Sequence, residues 1–317
     1  MSDNGATSTT DEVLAGFDLS GMVAAVTGAS GGLGQETARA LAARGAHVVM
    51  AARDQARLDT AMSAIREAHP DASVETIVLD LADIASCRAA ASSLLTAHDR
   101  LDLLINNAGV MCTPFGHTTD GFETQLGVNH LGHMAWTLPL MDLVVGSGTP
   151  ERPARIVNLS SAGHRFGDAD LDDLNYEHRD YDEWAAYGQS KTANILFSVE
   201  LERRLGSLGV RSLAVHPGGI HTDLGRHMTS DLLTQLQARI EQSNPSGEFV
   251  WKSIPQGAAT TVWAATTPEF NASGGVYCED CSAADDSDPE RGVASFAVDP
   301  ERAAVLWDRS MELLSTV

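Results

Sequence analysis

"MVAAVTGASGGLGQETARALAARGAHVVMAAR" occupies residues 22–53. Residues 22–27 are a short apolar run ended by glycine, the pattern of a buried strand. Residues 34–44 carry apolar positions at helical spacing, and Gly45 stops them. A second apolar run, "AHVVMAA", follows at 46–52. Gly28, Gly32 and Gly34 therefore lie between a strand and a helix. Glycine there permits a tight turn and lets the backbone approach a pyrophosphate, while the helix start offers free N–H groups and a positive dipole end. An ordinary βα turn also uses glycine, so it is the strand–turn–helix context that carries the nucleotide reading.

The alternation continues outward from this stretch. Strand-like runs stand at "VETIVLD" (74–80), "LDLLINN" (101–107), "ARIVNLS" (154–160), "VRSLAVHP" (210–217) and "GGVYCED" (274–280). Helical patterns lie between them at 56–68, 84–97, 120–145, 187–205 and 256–266. Strand alternating with helix predicts an α/β fold: one doubly wound parallel sheet, a Rossmann fold, with helices on both faces. There is no internal repeat and no Pro/Gly linker, so residues 16–317 read as one domain. Residues 1–15, polar and acidic, read as a disordered tail.

Asp and Glu outnumber Lys and Arg by 43 to 21, a net charge of −22 over 317 residues. That balance disfavours nucleic acid and anionic membranes as partners. The N-terminus lacks the basic start and apolar core of a signal peptide, and no apolar run reaches transmembrane length. A cytoplasmic location is expected. Cys278 and Cys281 form a lone C-E-D-C, and with no second close Cys/His pair a zinc site is not expected there.

Only two of the 21 basic side chains are lysines, Lys191 and Lys252. Lys191 follows Tyr187 by four residues in "AAYGQSKTANI" (185–195), which puts both on one helix face. A phenol near pKa ~10 exchanges protons poorly at neutral pH. An adjacent ammonium would stabilise the phenolate and lower that value. Tyr176 and Tyr181 have no such cation at the fourth position.

The glycine spacing T-G-x-x-x-G-x-G at 27–34 resembles the short-chain dehydrogenase/reductase family. The resemblance extends through "LDLLINNAGV", "VNHLGH", "YGQSK" and "HPGGIHT", about residues 17 to 280. "AARD", "NLSSAGH" and "YGQSKTANILF" look like its retinol-dehydrogenase-like and WW-domain-oxidoreductase-like branch. The resemblance implies a catalytic set of Asn129, Ser161, Tyr187 and Lys191. Ser161 would hold the substrate oxygen, Tyr187 act as general acid/base, Lys191 tune the phenol and hydrogen-bond the nicotinamide ribose, and Asn129 position a water leading to Lys191. Ser161 is preferred to Ser160 by this register, because strand alternation only says that the two point to opposite sides. The resemblance also implies a cofactor site of Gly28, Ser30, Gly32, Leu33 and Gly34 in the turn, and Asp80 and Leu81 beside the adenine. Asn107, Ala108 and Gly109 would lie against the cofactor, Tyr187 and Lys191 by the nicotinamide ribose, and Pro217, Gly218 and Thr222 by the carboxamide and phosphates.

At the end of the second strand a carboxylate would bind a ribose 2′-OH, whereas Ala52 is followed here by Arg53. A guanidinium suits a phosphate dianion, so NADP(H) is preferred and NAD(H) stays open. The expected function is interconversion of an alcohol with a ketone or aldehyde. Reduction of a C=C bond and a non-catalytic NADP-binding sensor remain alternatives.

Ser161 and Tyr187 are 26 residues apart, about twice the gap of many family members, so 162–186 reads as an insertion that loops out while its ends rim the site. Residues 224–254, amphipathic around 230–241, read as a substrate lid. Met111, Cys112, His164 and Trp251 are candidate wall residues, and Lys252 reads as a solvated lid charge. The resemblance makes a homodimer or homotetramer the default assembly.

Overall fold

Strand and helix alternate as expected in a computed structural model of the chain, which describes residues 4–149, 151–243, 250–284 and 292–317. A short α1 (Thr10–Val13) precedes β1 (Val23–Thr27), α2 (Gly32–Ala42) and β2 (His47–Ala52). Next come α3 (Gln55–Ala68), β3 (Val74–Val78), α4 (Ile84–Ala97) and β4 (Leu103–Asn106). α5 (Thr124–Leu126) leads through a π-helical turn, Gly127–Leu131, into α6 (Gly132–Ser147) and β5 (Ala154–Leu159). α7 (Glu183–Leu205), β6 (Val210–His216), α8 (Ser230–Ser243) and α9 (Ile254–Thr266) follow, then β7 (Val276–Glu279), β8 (Ser282–Ala283) and α10 (Pro300–Leu314).

The described strands form one sheet in the order β3-β2-β1-β4-β5-β6-β7-β8. Every pairing is parallel except β7 with β8. In β1 every residue is buried, because helices cover both faces. Leu104, Leu131, Trp136, Leu196 and Leu306 belong to the core on one side, under α4, α6, α7 and α10. Val26, Leu41, Leu58, Val157 and Val262 belong to the other, under α2, α3 and α9. The connection changes direction between β1 and β4, which opens a crevice beyond the C-terminal strand ends, where such sheets bind ligands.

Three expectations are corrected. Within the expected tail, residues 4–15 are described and structured. Thr9 and Glu12 form a capping box, Thr10 Oγ1 donates to Glu36, and Arg39 pairs with Asp11 at 2.9 Å. Val13 and Leu14 are buried, so apolar burial outweighs the polar composition. The helix expected over 120–145 is interrupted by the π-turn, an arrangement frequent at functional sites. The 162–186 insertion does not loop out. Its Leu174 and Tyr176 are buried, Asn175 accepts from the Glu123 amide at 2.7 Å, and the Tyr181 hydroxyl donates to the Thr113 carbonyl at 3.0 Å.

Candidate active site

The glycine turn closes as the sequence requires. A Cβ on Gly34 would stand 2.5 Å from the Gly28 carbonyl oxygen, so only glycine allows α2 to start against the end of β1. Gly28 itself has φ +69°, in the left-handed region. Gly31, the N-cap of α2, supplies no side-chain cap. The first N–H groups of α2 thus lack a side-chain acceptor, which suits a phosphate. Ser30 and Leu33 flank this opening, half-buried.

Neighbouring strand ends hold the turn. Thr27 Oγ1 accepts from the Asn107 and Ala108 amides at 2.9 and 3.0 Å, and Asn107 Nδ2 donates to the Thr27 carbonyl at 2.7 Å. The segment after β6 crosses above: a Cβ on Gly32 would be 3.6 Å from the Thr222 methyl. Asp80 and Leu81 follow β3, where Leu79 N–H bonds the Ala52 carbonyl at 3.0 Å, so they adjoin the end of β2. Arg53 is exposed there. Arg57 pairs with Asp223 at 2.8 Å, and Arg226 donates to the Asp223 carbonyl at 3.0 Å. Burial, then the positive charge of Arg53, lower the pKa of Arg226. Arg53 alone was legible in the sequence; Arg57 and Arg226 join it because the loop after β6 folds back over α3.

At the chemical end, Asp182 caps α7 by accepting from the Ala185 amide at 2.7 Å, which fixes the helix one turn before Tyr187. The buried Tyr187 phenol and the Ser161 side chain flank Gly163, where a Cβ would stand 2.7 Å from the Tyr187 ring and 3.2 Å from Ser161 Oγ. Ser160 faces away and donates to the Lys191 carbonyl at 2.9 Å. Lys191 Nζ lies 5.8 Å from the Tyr187 ring centre and donates to the Leu159 carbonyl at 3.0 Å. A Cβ on Gly109 would touch both Asn129 Oδ1, at 3.1 Å, and Lys191 Nζ, at 3.6 Å. Both N–H groups of the Asn129 amide are used, on the Val110 carbonyl and on Ser190 Oγ, each at 2.9 Å.

The expected lowering of the phenol pKa is not found. Burial pushes Tyr187 up, and the nearby Ser161 side chain opposes that only in part. Burial instead lowers Lys191 to about 8.

Three histidines went unassigned or misassigned. His133 Nδ1 is 2.9 Å from the Asn129 carbonyl and Nε2 is 2.8 Å from Thr27 Oγ1. Since Thr27 Oγ1 already accepts two amides, its proton points to Nε2, and His133 donates from Nδ1. His216 Nδ1 accepts from the Ala162 and Gly218 amides at 3.2 and 3.4 Å, tying the Ser161 loop to Pro217–Gly218. His164 is removed from the wall: it is buried, bonds the Ser161 carbonyl at 2.7 Å and accepts from the Ala294 amide at 3.0 Å. Each has partners far along the chain, so no local signal marks it.

Cys112, Trp184 and Leu232 form a small apolar cluster, with Met111, Phe166, Met228 and Leu236 packed against it. It joins the edge of the site to α8, and Arg239 of α8 lies over the Phe166 ring at 4.7 Å. Trp251 belongs elsewhere, stacked on His221 at 3.9 Å. Residues 244–249 of the segment expected to act as a lid lie outside the described residues. Lys252 is not a solvated charge. Its side chain is 10% exposed, pairs with Asp280 at 2.5 Å and lies across Gly218, where a Cβ would be 2.8 Å from Lys252 Cδ.

These features fit a dinucleotide: an uncapped helix start at a glycine turn, cations at the end of β2, and a Ser–Tyr–Lys group at the end of β5. Residues 22–233 match the family model for short chain dehydrogenases. The short-chain dehydrogenase/reductase prx1 of Penicillium rubens is 43% identical over 91% of this chain and 84% of its own. Human retinol dehydrogenase 12 is 41% identical over 93% of this chain and 87% of its own. A solved structure from Mycobacterium paratuberculosis, 33% identical, superposes over 98% of each chain with a TM-score of 0.73. Motif, sheet order and relatives converge: the chain belongs to the short-chain dehydrogenase/reductase family, in its retinol-dehydrogenase-like branch, and is an oxidoreductase of CH–OH groups with a nicotinamide cofactor.

Proposed function

We propose that the protein interconverts a lipophilic alcohol with its ketone or aldehyde, with NADP(H) preferred. The observation that carries the chemistry is the convergence of the Ser161 hydroxyl and the Tyr187 phenol around Gly163, with a buried Lys191 5.8 Å from the Tyr187 ring centre. The apolar cluster of Met111, Cys112, Phe166, Trp184, Met228 and Leu232 supports a lipophilic substrate, since a low-polarity wall favours apolar contact over hydration. Arg53, Arg57 and Arg226 support the 2′-phosphate.

A bound nicotinamide donates or accepts the hydride. The chain manages the oxygen and its proton. Ser161 and Tyr187 hold the substrate oxygen, and in reduction the Tyr187 hydroxyl proton passes to it. Burial keeps that phenol protonated beforehand, as an acid requires. The Lys191 ammonium stabilises the phenolate left behind. Asn129 bonds Val110 and so holds the 108–110 segment beside Lys191.

The test follows NADPH and NADH oxidation over apolar and polar ketones, aldehydes and enones. Turnover of apolar carbonyls with a preference for NADPH is expected. Turnover confined to enone C=C bonds would replace this reading, and tight NADPH binding without oxidation of any member would favour a sensor. The same assay run with size-exclusion chromatography and light scattering reads the assembly, for which a homodimer or homotetramer is proposed.

A further inference from the structure

At the opposite end of the sheet from the cofactor crevice, three side chains converge that the oxidoreductase chemistry does not use. His47 opens β2, Glu75 stands at the second position of the edge strand β3, and His98 is the C-cap of α4. From His47 to Ala52, at the crevice end of β2, is about 17 Å at a rise of ~3.3 Å per residue. The cluster is therefore separate from the site described above.

The geometry points to a transition-metal site formed by His47, Glu75 and His98, with Zn²⁺ the natural occupant. One ligand atom from each residue lies within 4.8 Å of the other two. His98 Nε2 is 2.7 Å from a Glu75 carboxylate oxygen, and His47 Nε2 is 3.7 Å from the same oxygen. A tetrahedral ion with bonds of about 2.0–2.1 Å holds its ligand atoms roughly 3.3–3.5 Å apart. The existing spacings straddle that range, so small side-chain rotations suffice.

A second observation comes from His47 itself. Its Nε2 is buried and has no hydrogen-bond partner, though it faces the carboxylate. Its Nδ1 is 2.7 Å from Ser73 Oγ. Donation from Nδ1 to that oxygen leaves the Nε2 lone pair aimed into the cluster, the arrangement that orients a metal-bound imidazole. Two imidazoles and one carboxylate select Zn²⁺, Co²⁺ or Ni²⁺ over Mg²⁺ or Ca²⁺. Glu75 is 43% exposed, which leaves room for water in the fourth position. The bound ion would join β2, β3 and the end of α4 through three elements. It would thus brace the sheet edge.

The experiment is a Co²⁺ titration of the metal-free full chain, read by visible absorption and calorimetry, followed by Zn²⁺ displacement and thermal unfolding with and without Zn²⁺. One Co²⁺ per chain with the intense visible bands of a four-coordinate ion is expected, displaced by Zn²⁺, and Zn²⁺ should raise Tm. Glu75→Gln, a conservative change at an exposed side chain, and His47→Ala with His98→Ala should each abolish the bands and the Tm shift. Ser73→Ala should weaken binding by roughly 10- to 100-fold. Far-UV circular dichroism checks that each variant folds, and Glu75→Gln alone carries the test if the double variant does not. Absence of stoichiometric binding overturns the proposal. So does binding of equal strength in Glu75→Gln, which would place the metal elsewhere on the acidic surface.

Discussion

Tyr187 and Lys191 sit on one helix face, yet burial moves their proton affinities in opposite directions. Tyr187→Phe should fold and bind nucleotide while kcat falls by about 10²–10⁴, the usual contribution of a positioned acid. Steady-state kinetics beside a nucleotide-binding titration checks this, and normal turnover would refute the role. Lys191→Arg keeps the charge but widens the head beside Leu159 and Tyr187, so most activity should be lost. Lys191 also has a stability signature. Its folded value of about 8 lies below the unfolded value of about 10.4, so the unfolded chain binds more protons between them and wild-type stability rises with pH across that window. Below it the buried charge is a full penalty. Lys191→Met should therefore stabilise the fold at neutral pH by on the order of 2 kcal/mol, after loss of the Leu159 hydrogen bond, with the gap closing toward pH ~10. Urea denaturation of both proteins at several pH values measures it. Arg53→Asp combined with Arg226→Ala should shift the kcat/KM ratio from NADPH toward NADH by about 10-fold or more, as expected when charge-assisted phosphate bonds are lost. The Tyr–Lys pair was legible in the sequence because one helix carries both members. The direction of the phenol shift was not, because it depends on burial beneath segments distant in sequence.

At the scale of elements, the long periodic segments were legible and the exceptions have identifiable causes. α1 is four residues long, too short for a periodic pattern. α10 buries Leu306 and Trp307 against α7, where Trp307 stacks near Phe197, but the sequence reading stopped at the last strand. The break at Gly127–Leu131 lacks a proline. It coincides with a side-chain bond from His133 to the Asn129 carbonyl, which a sequence pattern does not display. The helix expected around 230–241 is present as α8, and the structure adds what holds it: Leu232 in the apolar cluster and Arg239 over Phe166. Arg239→Ala removes a cation–π contact of about 0.5–1 kcal/mol. It should raise KM for apolar substrates a few-fold with little change in kcat or nucleotide affinity, as a parallel kinetic series would show. A kcat loss matching that of Tyr187→Phe would mean that α8 takes part in the chemistry.

For the molecule as a whole, the parallel sheet with helices on both faces was the most legible feature, because it needs both a repeated alternation and buried strands, whereas the strand order and its switch point come from the structure. What could not be read was how the polar interior is satisfied. His130, His133 and His164 are inside and His216 is half-buried, with burial lowering them to about 3, 4, 4 and 4. Each would protonate near 6.5 in the unfolded chain, so stability is full above about 6.5 and is lost as pH falls toward 4, by about 1.4 kcal/mol per pH unit for each histidine. Urea midpoints should drop steeply between about pH 6.5 and pH 5, and His164→Gln should flatten that slope. A pH-independent midpoint would contradict the buried neutral state. The segment after β6 has a consequence of another kind. Ile220 and Lys252 meet as neighbouring backbone strands, the Lys252 amide bonding the Gly219 carbonyl at 2.9 Å, so both stems of the intervening segment are fastened at one point beside the crevice. The segment is thus a closed cassette on a finished frame. Exchanging residues 228–251 for the equivalent stretch of a relative should transplant its substrate preference, read as kcat/KM over each parent's substrates, while Thr222, Arg226 and the Ser161–Tyr187–Lys191 group stay in place.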